Sequence, residues 1–359
     1  LSNKYRRIVR AIFGSPWAIM PEKLEQIVAF IELKAEGGNL SKDDIAAVMQ
    51  ARKNGNSVVS GSIAVLPLFG IISQRMDLMS EYSGGTSTEL FSRDFKSALA
   101  DPSVTGIIIN IDSPGGTVYG VEELATEIYL ARGKKPIMAI ANSLAASAAA
   151  WIGMAAGKFL STPGGEVGSI GVYSAHTDIS KAEEMTGFKT TLISAGKFKV
   201  EGNPYQPLDE EAQSAIQSRV NEYYQMFTKS VARHRGVPIS QVREGMGQGR
   251  VVGATEAMKL GMIDGIMTLD QAIMDMARNE GKKAQATSGL LHVENEDSIP
   301  KVEGVIVTTT GELPDSRYVR VTVSSLPDSF EIPIAPELLA VEQKVITDIE
   351  RRRLELLSL

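Results

Sequence analysis

From Val58 onward the chain switches between near-continuous apolar runs and stretches of helical period. Ile63-Ala64-Val65-Leu66-Pro67-Leu68-Phe69-Gly70-Ile71-Ile72 has almost no polar alternation, as expected of a strand covered on both faces. A polar loop over Ser80–Ser87 and a helix over Glu89–Ala100 follow. Gly106–Asp112 predicts a second buried strand, stopped at Ser113-Pro114-Gly115-Gly116, and Val121–Arg132 a helix. Pro136–Ile140 predicts a third strand, and the small-residue stretch Leu144–Ala156 a third helix. Shorter strands are expected at Lys158–Ser161, Ser169–Val172 and Lys189–Ile193, and a long amphipathic helix over Asp209–Arg235. Strand and helix in alternation predict repeated βαβ units around a parallel sheet.

The flanks read differently. Residues 1–56 predict a helical N-terminal extension, with one helix opening at Pro21 and a second capped by Ser41. Its first segment carries Lys4, Arg6, Arg7 and Arg10, a basic helix that is too short and too charged for a signal peptide. The core is expected over 57–278 and a polar linker over 279–300. A small α+β tail follows over 301–359, with strands at Val302–Thr309 and Tyr318–Ser324 and a helix at Pro336–Leu357. This tail carries no motif of recognisable chemistry.

Composition removes several function classes. Among 359 residues there is no cysteine, which excludes disulfides, thiolate metal sites and a cysteine nucleophile. Three histidines, His176, His234 and His292, leave little for a histidine-built zinc site, and no cofactor is expected. A net charge of −6 argues against a general nucleic-acid binder. No stretch reaches the ~18–20 apolar residues that span a bilayer, so no transmembrane anchor and a cytoplasmic location are expected.

Three segments can carry chemistry. Ser113-Pro114-Gly115-Gly116 follows a buried strand, and its glycines leave backbone N–H groups uncovered, donors suited to an oxyanion; read alone it is also an ordinary turn. Ser147, in Leu144-Ala145-Ala146-Ser147-Ala148-Ala149-Ala150, opens a helix of tiny side chains that lets a substrate backbone approach the hydroxyl; the same pattern suits tight packing alone. Lys197 and Lys199 lie in Gly196-Lys197-Phe198-Lys199, where a lysine acts as a base only if its pKa falls from ~10.4 toward ~7–8; two loop lysines are otherwise solvated surface.

Taken together with Val167-Gly168-Ser169-Ile170-Gly171-Val172 and the stretch from Gly249-Arg250 to Gly265, these motifs resemble peptidase family S49, the signal peptide peptidase A family, over residues 58–275. The resemblance implies a ClpP/crotonase-like α/β fold and a serine endopeptidase. By motif it makes Ser147 the nucleophile, Lys199 the general base with Lys197 competing, and Ser169 the residue that orients the lysine. The N–H groups of Gly115 and Ala148 would form the oxyanion hole. Where many members carry glycines after the nucleophile, this chain has Ala148-Ala149, which narrows the substrate channel.

Alternatives share the fold. A ClpP-type triad would need a histidine that His176, the one histidine in mid-core, does not supply in the right context. A crotonase-like acyl-CoA enzyme would leave Ser147 and Lys199 idle, and a non-catalytic assembly protein would not need them. Ser194-Ala195-Gly196-Lys197 matches a Ser-x-x-Lys motif but lacks the helix that motif requires. A single core with flanking extensions resembles a phage head-maturation protease. That implies homo-oligomerisation and action on phage scaffold, portal or capsid proteins or on itself, in the host cytoplasm or prohead interior. The other branch is a soluble bacterial enzyme that degrades peptides.

Overall fold

Aliphatic runs without polar alternation become strands that bury both faces, and here they build one mixed sheet. The computed structural model describes residues 16–21, 24, 61–75, 85–288 and 319–323. In chain order the elements are β1 (Trp17–Ile19), β2 (Gly61–Ser73), β3 (Thr86–Ser87), α1 (Thr88–Ala100), β4 (Gly106–Thr117), α2 (Val121–Ala131), β5 (Ile137–Ala146) and α3 (Ala148–Met154). Then come β6 (Lys158–Ser161), β7 (Glu166–Gly168), α4 (Ser180–Met185), α5 (Glu210–Arg235), β8 (Val251–Gly253), α6 (Ala254–Lys259), β9 (Gly265–Ile266), α7 (Leu269–Ser288) and β10 (Val319–Val323).

The sheet runs β10-β2-β4-β5-β6-β9. Neighbours from β2 to β9 are parallel, and β10 closes one edge antiparallel to β2. The pleat sorts side chains to two cores. Ile107, Ile109 and Ile111 join Leu66, Leu68 and the helices α1 to α3, while Ile108 joins Ile63, Ile140 and the α7 residues Ala272, Ile273 and Met276. The parallel α/β architecture expected from the alternation is therefore present.

Several elements differ from expectation, each for a physical reason. Pro114 does not end β4, which continues through the Ser-Pro-Gly-Gly segment to Thr117. Leu144–Ala146, expected as helix, extends β5, because it pairs with Glu166–Gly168 of β7; strand pairing outweighs alanine's helical preference. The strand expected at Ser169–Val172 ends before it begins, since Ser169 turns the chain at φ 54°. Lys189–Ile193 forms no strand and is largely exposed, with no partner strand beside it among the described residues. Within the extension expected to be helical, Trp17–Ile19 is a strand, and Pro21 and Leu24 are helical. α7 stays helical to Ser288, past the expected start of the linker. Of the tail, Val319–Val323 is a strand, while Val302–Thr309 and Pro336–Leu357 lie outside the described residues.

Candidate active site

The site forms where β5 stops being a strand. Ser147 stands between Ala146 of β5 and Ala148 of α3, with φ 54° and ψ −116°, a conformation glycine favours. Its side chain is buried, its N–H donates to Gly168 O at 2.8 Å, and its Oγ donates to Gly171 O at 3.4 Å. Ala148 N–H lies in the first helical turn, where no intrahelical acceptor exists.

Neighbouring strands bring two more expected residues alongside. The β5–β7 register ends at Ala146 opposite Gly168, which sets Ser169 next to Ser147. Ser169 also holds φ 54°, and its N–H donates to Arg250 O at 2.8 Å. Two of the three non-glycine residues with positive φ among the described residues are thus Ser147 and Ser169. Such strain concentrates at functional positions.

Gly115 approaches from β4. A side chain there would meet Ala18 O and Ala146 O, and would stand 3.0 Å from Ser147 Cβ, so only glycine lets the β4 backbone reach the serine. Its N–H donates to Ser113 Oγ at 3.1 Å, and Ser113 Oγ donates to Gly70 O at 2.6 Å. Ser113, which the sequence reading passed over, ties the glycine turn to β2.

The lysines lie in a different setting. Lys197 Nζ pairs with Glu211 at 2.6 Å and sits 4.5 Å from the centre of the Phe198 ring. Lys199 is exposed, and among the described residues no hydrogen bond joins it to Ser147 or Ser169. The single chain therefore unites Ser147, Ser169, Gly115 and Ala148 but not Lys199. The segment that carries Lys199 exposes Met185, Phe188, Ile193 and Phe198.

Beneath Ser147, α3 is held by one aromatic anchor. Trp151 is fully buried, stacks on Phe227 of α5 at 4.3 Å, and donates Nε1–H to Ser230 Oγ at 2.8 Å and to Glu122 at 3.1 Å. His234 lies one turn along α5, with Nε2 3.4 Å from Ser230 Oγ. Burial, then the charges of Arg233 and Arg132, push its pKa down to about 3, which favours the neutral imidazole.

The sheet also opens a slot above the serine. Where β5 turns into α3, the β4 edge at Gly115–Thr117 loses its β5 neighbour, and β1 fills the place. Trp17, Ala18 and Ile19 lie antiparallel opposite Thr117, Gly116 and Gly115. On its other side β1 bonds Tyr173, through Trp17 N–H to Tyr173 O at 2.9 Å and Tyr173 N–H to Trp17 O at 3.1 Å. A three-residue segment between prolines has no readable period, and the sequence reading missed it.

Residues 130–283 match the family described as Peptidase family S49. Capsid assembly protease C of Escherichia phage lambda is 32% identical over 262 residues, covering 71% of this chain and 59% of that protein. Head-tail preconnector protein GP5 of Enterobacteria phage P21 is 33% identical over 220 residues, 61% of this chain and 43% of that one. A ClpP1 from Listeria monocytogenes superposes with a TM-score of 0.38 at 15% identity, covering 58% of this chain and 94% of that one. The chain spans 59% and 43% of the two phage proteins' lengths. Among the described residues no helix is long and apolar enough to cross a membrane.

Proposed function

This chain carries a peptidase family S49 segment over residues 130–283, and from that premise we propose that it is a serine endopeptidase with Ser147 as nucleophile and Lys199 as general base. The observation that carries the reading is the strained, buried Ser147 at the mouth of α3, beside Gly115 and Ser169. The Lys199 amine takes the Ser147 proton, and the oxygen attacks a peptide carbonyl. The N–H groups of Ala148 and Gly115 hold the oxyanion, the Gly115 donor exchanging Ser113 Oγ for it. Lys199 then protonates the leaving amine, and water hydrolyses the acyl-enzyme. Ser169 orients the lysine.

Lys199 rather than Lys197 fits the base, because the Lys197 ammonium is engaged in an ion pair with Glu211 at 2.6 Å. Since Lys199 does not reach Ser147 within one chain, the complete site forms between copies, and the exposed apolar residues around it fit such an interface. The likeness to two phage proteins favours head maturation as the setting, with scaffold, portal or the chain itself as substrate. Genes for portal and capsid proteins beside this one, and cleavage of the encoded scaffold, are the expected findings.

The deciding experiment digests casein or a peptide library with wild type, Ser147→Ala, Lys199→Ala and Lys197→Ala, and follows intact mass. Silence of the first two variants beside a working Lys197→Ala supports the dyad. Four equal digests sink it.

A further inference from the structure

We propose that β1 is a substrate-like strand carried by the chain itself, which lies in the peptide slot of the active site, keeps the enzyme at rest, and shows that the slot takes a small residue between two large apolar ones. The inference rests on the serine peptidase reading and adds its regulation and substrate preference.

The slot is built for a backbone. Its floor is the β5–α3 junction with Ser147, one wall is Gly115–Thr117, and the other is Tyr173. An extended peptide can pair with both walls, which is how sheet-edge recognition obtains its affinity. β1 does so: Trp17 exchanges both backbone bonds with Tyr173, and Met20 N–H donates to Pro114 O at 3.1 Å. Ile19 stands opposite Gly115, whose missing side chain leaves the place that Ala18 O and Ser147 Cβ crowd. The occupant's backbone therefore passes within one residue of the nucleophile.

Side chains of the occupant read the slot. Ala18 is completely buried within the main core, whereas Trp17 and Ile19 are buried to either side of it. A bulky residue at the Ala18 position has no room. With this strand in place, Ser147 Oγ donates to Gly171 O and Gly115 N–H donates to Ser113 Oγ. Prolines bound the strand: Pro16 has no N–H to extend the ladder, and the helical residue Pro21 follows after Met20.

The test compares wild type with a variant in which residues 16–20 become a Gly/Ser stretch of equal length, and with Ala18→Glu, which places a charge in a dry site. A fluorogenic peptide reports apparent KM, and a fluorophosphonate reports how fast Ser147 is labelled. Both variants are expected to be labelled several-fold faster and to show a several-fold lower KM. A synthetic peptide of residues Ser15–Glu22 should compete with substrate and slow labelling again. Unchanged labelling and KM, with no competition by the peptide, would make β1 mere scaffold and overturn the inference.

Should the variants fail to fold, hydrogen exchange in Ser147→Ala decides the matter. Casein should strip protection from the Trp17 and Met20 amides, and unchanged protection overturns the inference. If wild-type Ser147 is neither labelled nor active, the peptidase reading has failed. A labelled, active enzyme with unmoved KM fails this inference alone.

Discussion

Ser147 holds φ 54° and ψ −116°, a conformation that costs an L-residue with a side chain on the order of 1–3 kcal/mol. That turn is where β5 ends and α3 begins, and it leaves the hydroxyl on Gly171 O. Ser147→Gly is therefore expected to abolish cleavage yet raise stability by about 1 kcal/mol, glycine's own entropy loss offsetting part of the relief. Ser147→Ala keeps the strain and should melt below the glycine variant; equal melting points would show that the turn is relaxed. Small-residue context and motif order made Ser147, Ser169 and Gly115 legible in sequence as candidates. Their strain was not, because it arises from the pairing of Ala146 with Gly168 and from the bond between Ser169 and Arg250, contacts that no local pattern encodes.

At the scale of elements, α3 is seven residues long, and its position is set by Trp151 against α5. The neutral His234 in the same contact makes α5 packing sensitive to acid. Its folded pKa, about 3, lies below the ordinary 6.5, so the unfolded chain binds more protons in between. The contribution is whole above pH 6.5, falls with pH by up to about 1.4 kcal/mol per unit, and levels off near pH 3. Asp264 acts lower. Burial alone would raise its carboxyl, but hydrogen bonds from Arg235 and the Phe159 N–H outweigh this and hold it below 3.8. Urea unfolding between pH 4 and 6.5 therefore isolates the histidine, and His234→Gln should flatten the slope there. A parallel slope in the variant would remove His234 from the account. Strand type was readable in the long apolar runs of β2, β4 and the first half of β5, which pair with one another, but not at Leu144–Ala146 or Trp17–Ile19, short segments that also pair within the chain. Lys189–Ile193 shows the converse, a strand-like run left largely exposed.

For the whole molecule, that exposed run and Lys199 belong to one question. Ile193 is 96% exposed and Met185 88%, an apolar surface that a second copy would cover. Ile193→Asp is expected to shift the protein from oligomer to monomer in analytical ultracentrifugation and to abolish cleavage, while leaving the thermal midpoint of the monomer fold almost unchanged. A fully active monomer would place Lys199 in the site of its own chain. The far edge of the sheet carries a different consequence. β10 is the antiparallel neighbour of β2, so a ribosome that has made β2 must add roughly 250 residues, about ten to fifty seconds of synthesis, before that edge can close. Throughout this interval the nascent chain shows an apolar strand with one unpaired rim, a template for any passing strand. The pace of translation between these two segments thus becomes a determinant of how much of the chain reaches its native sheet.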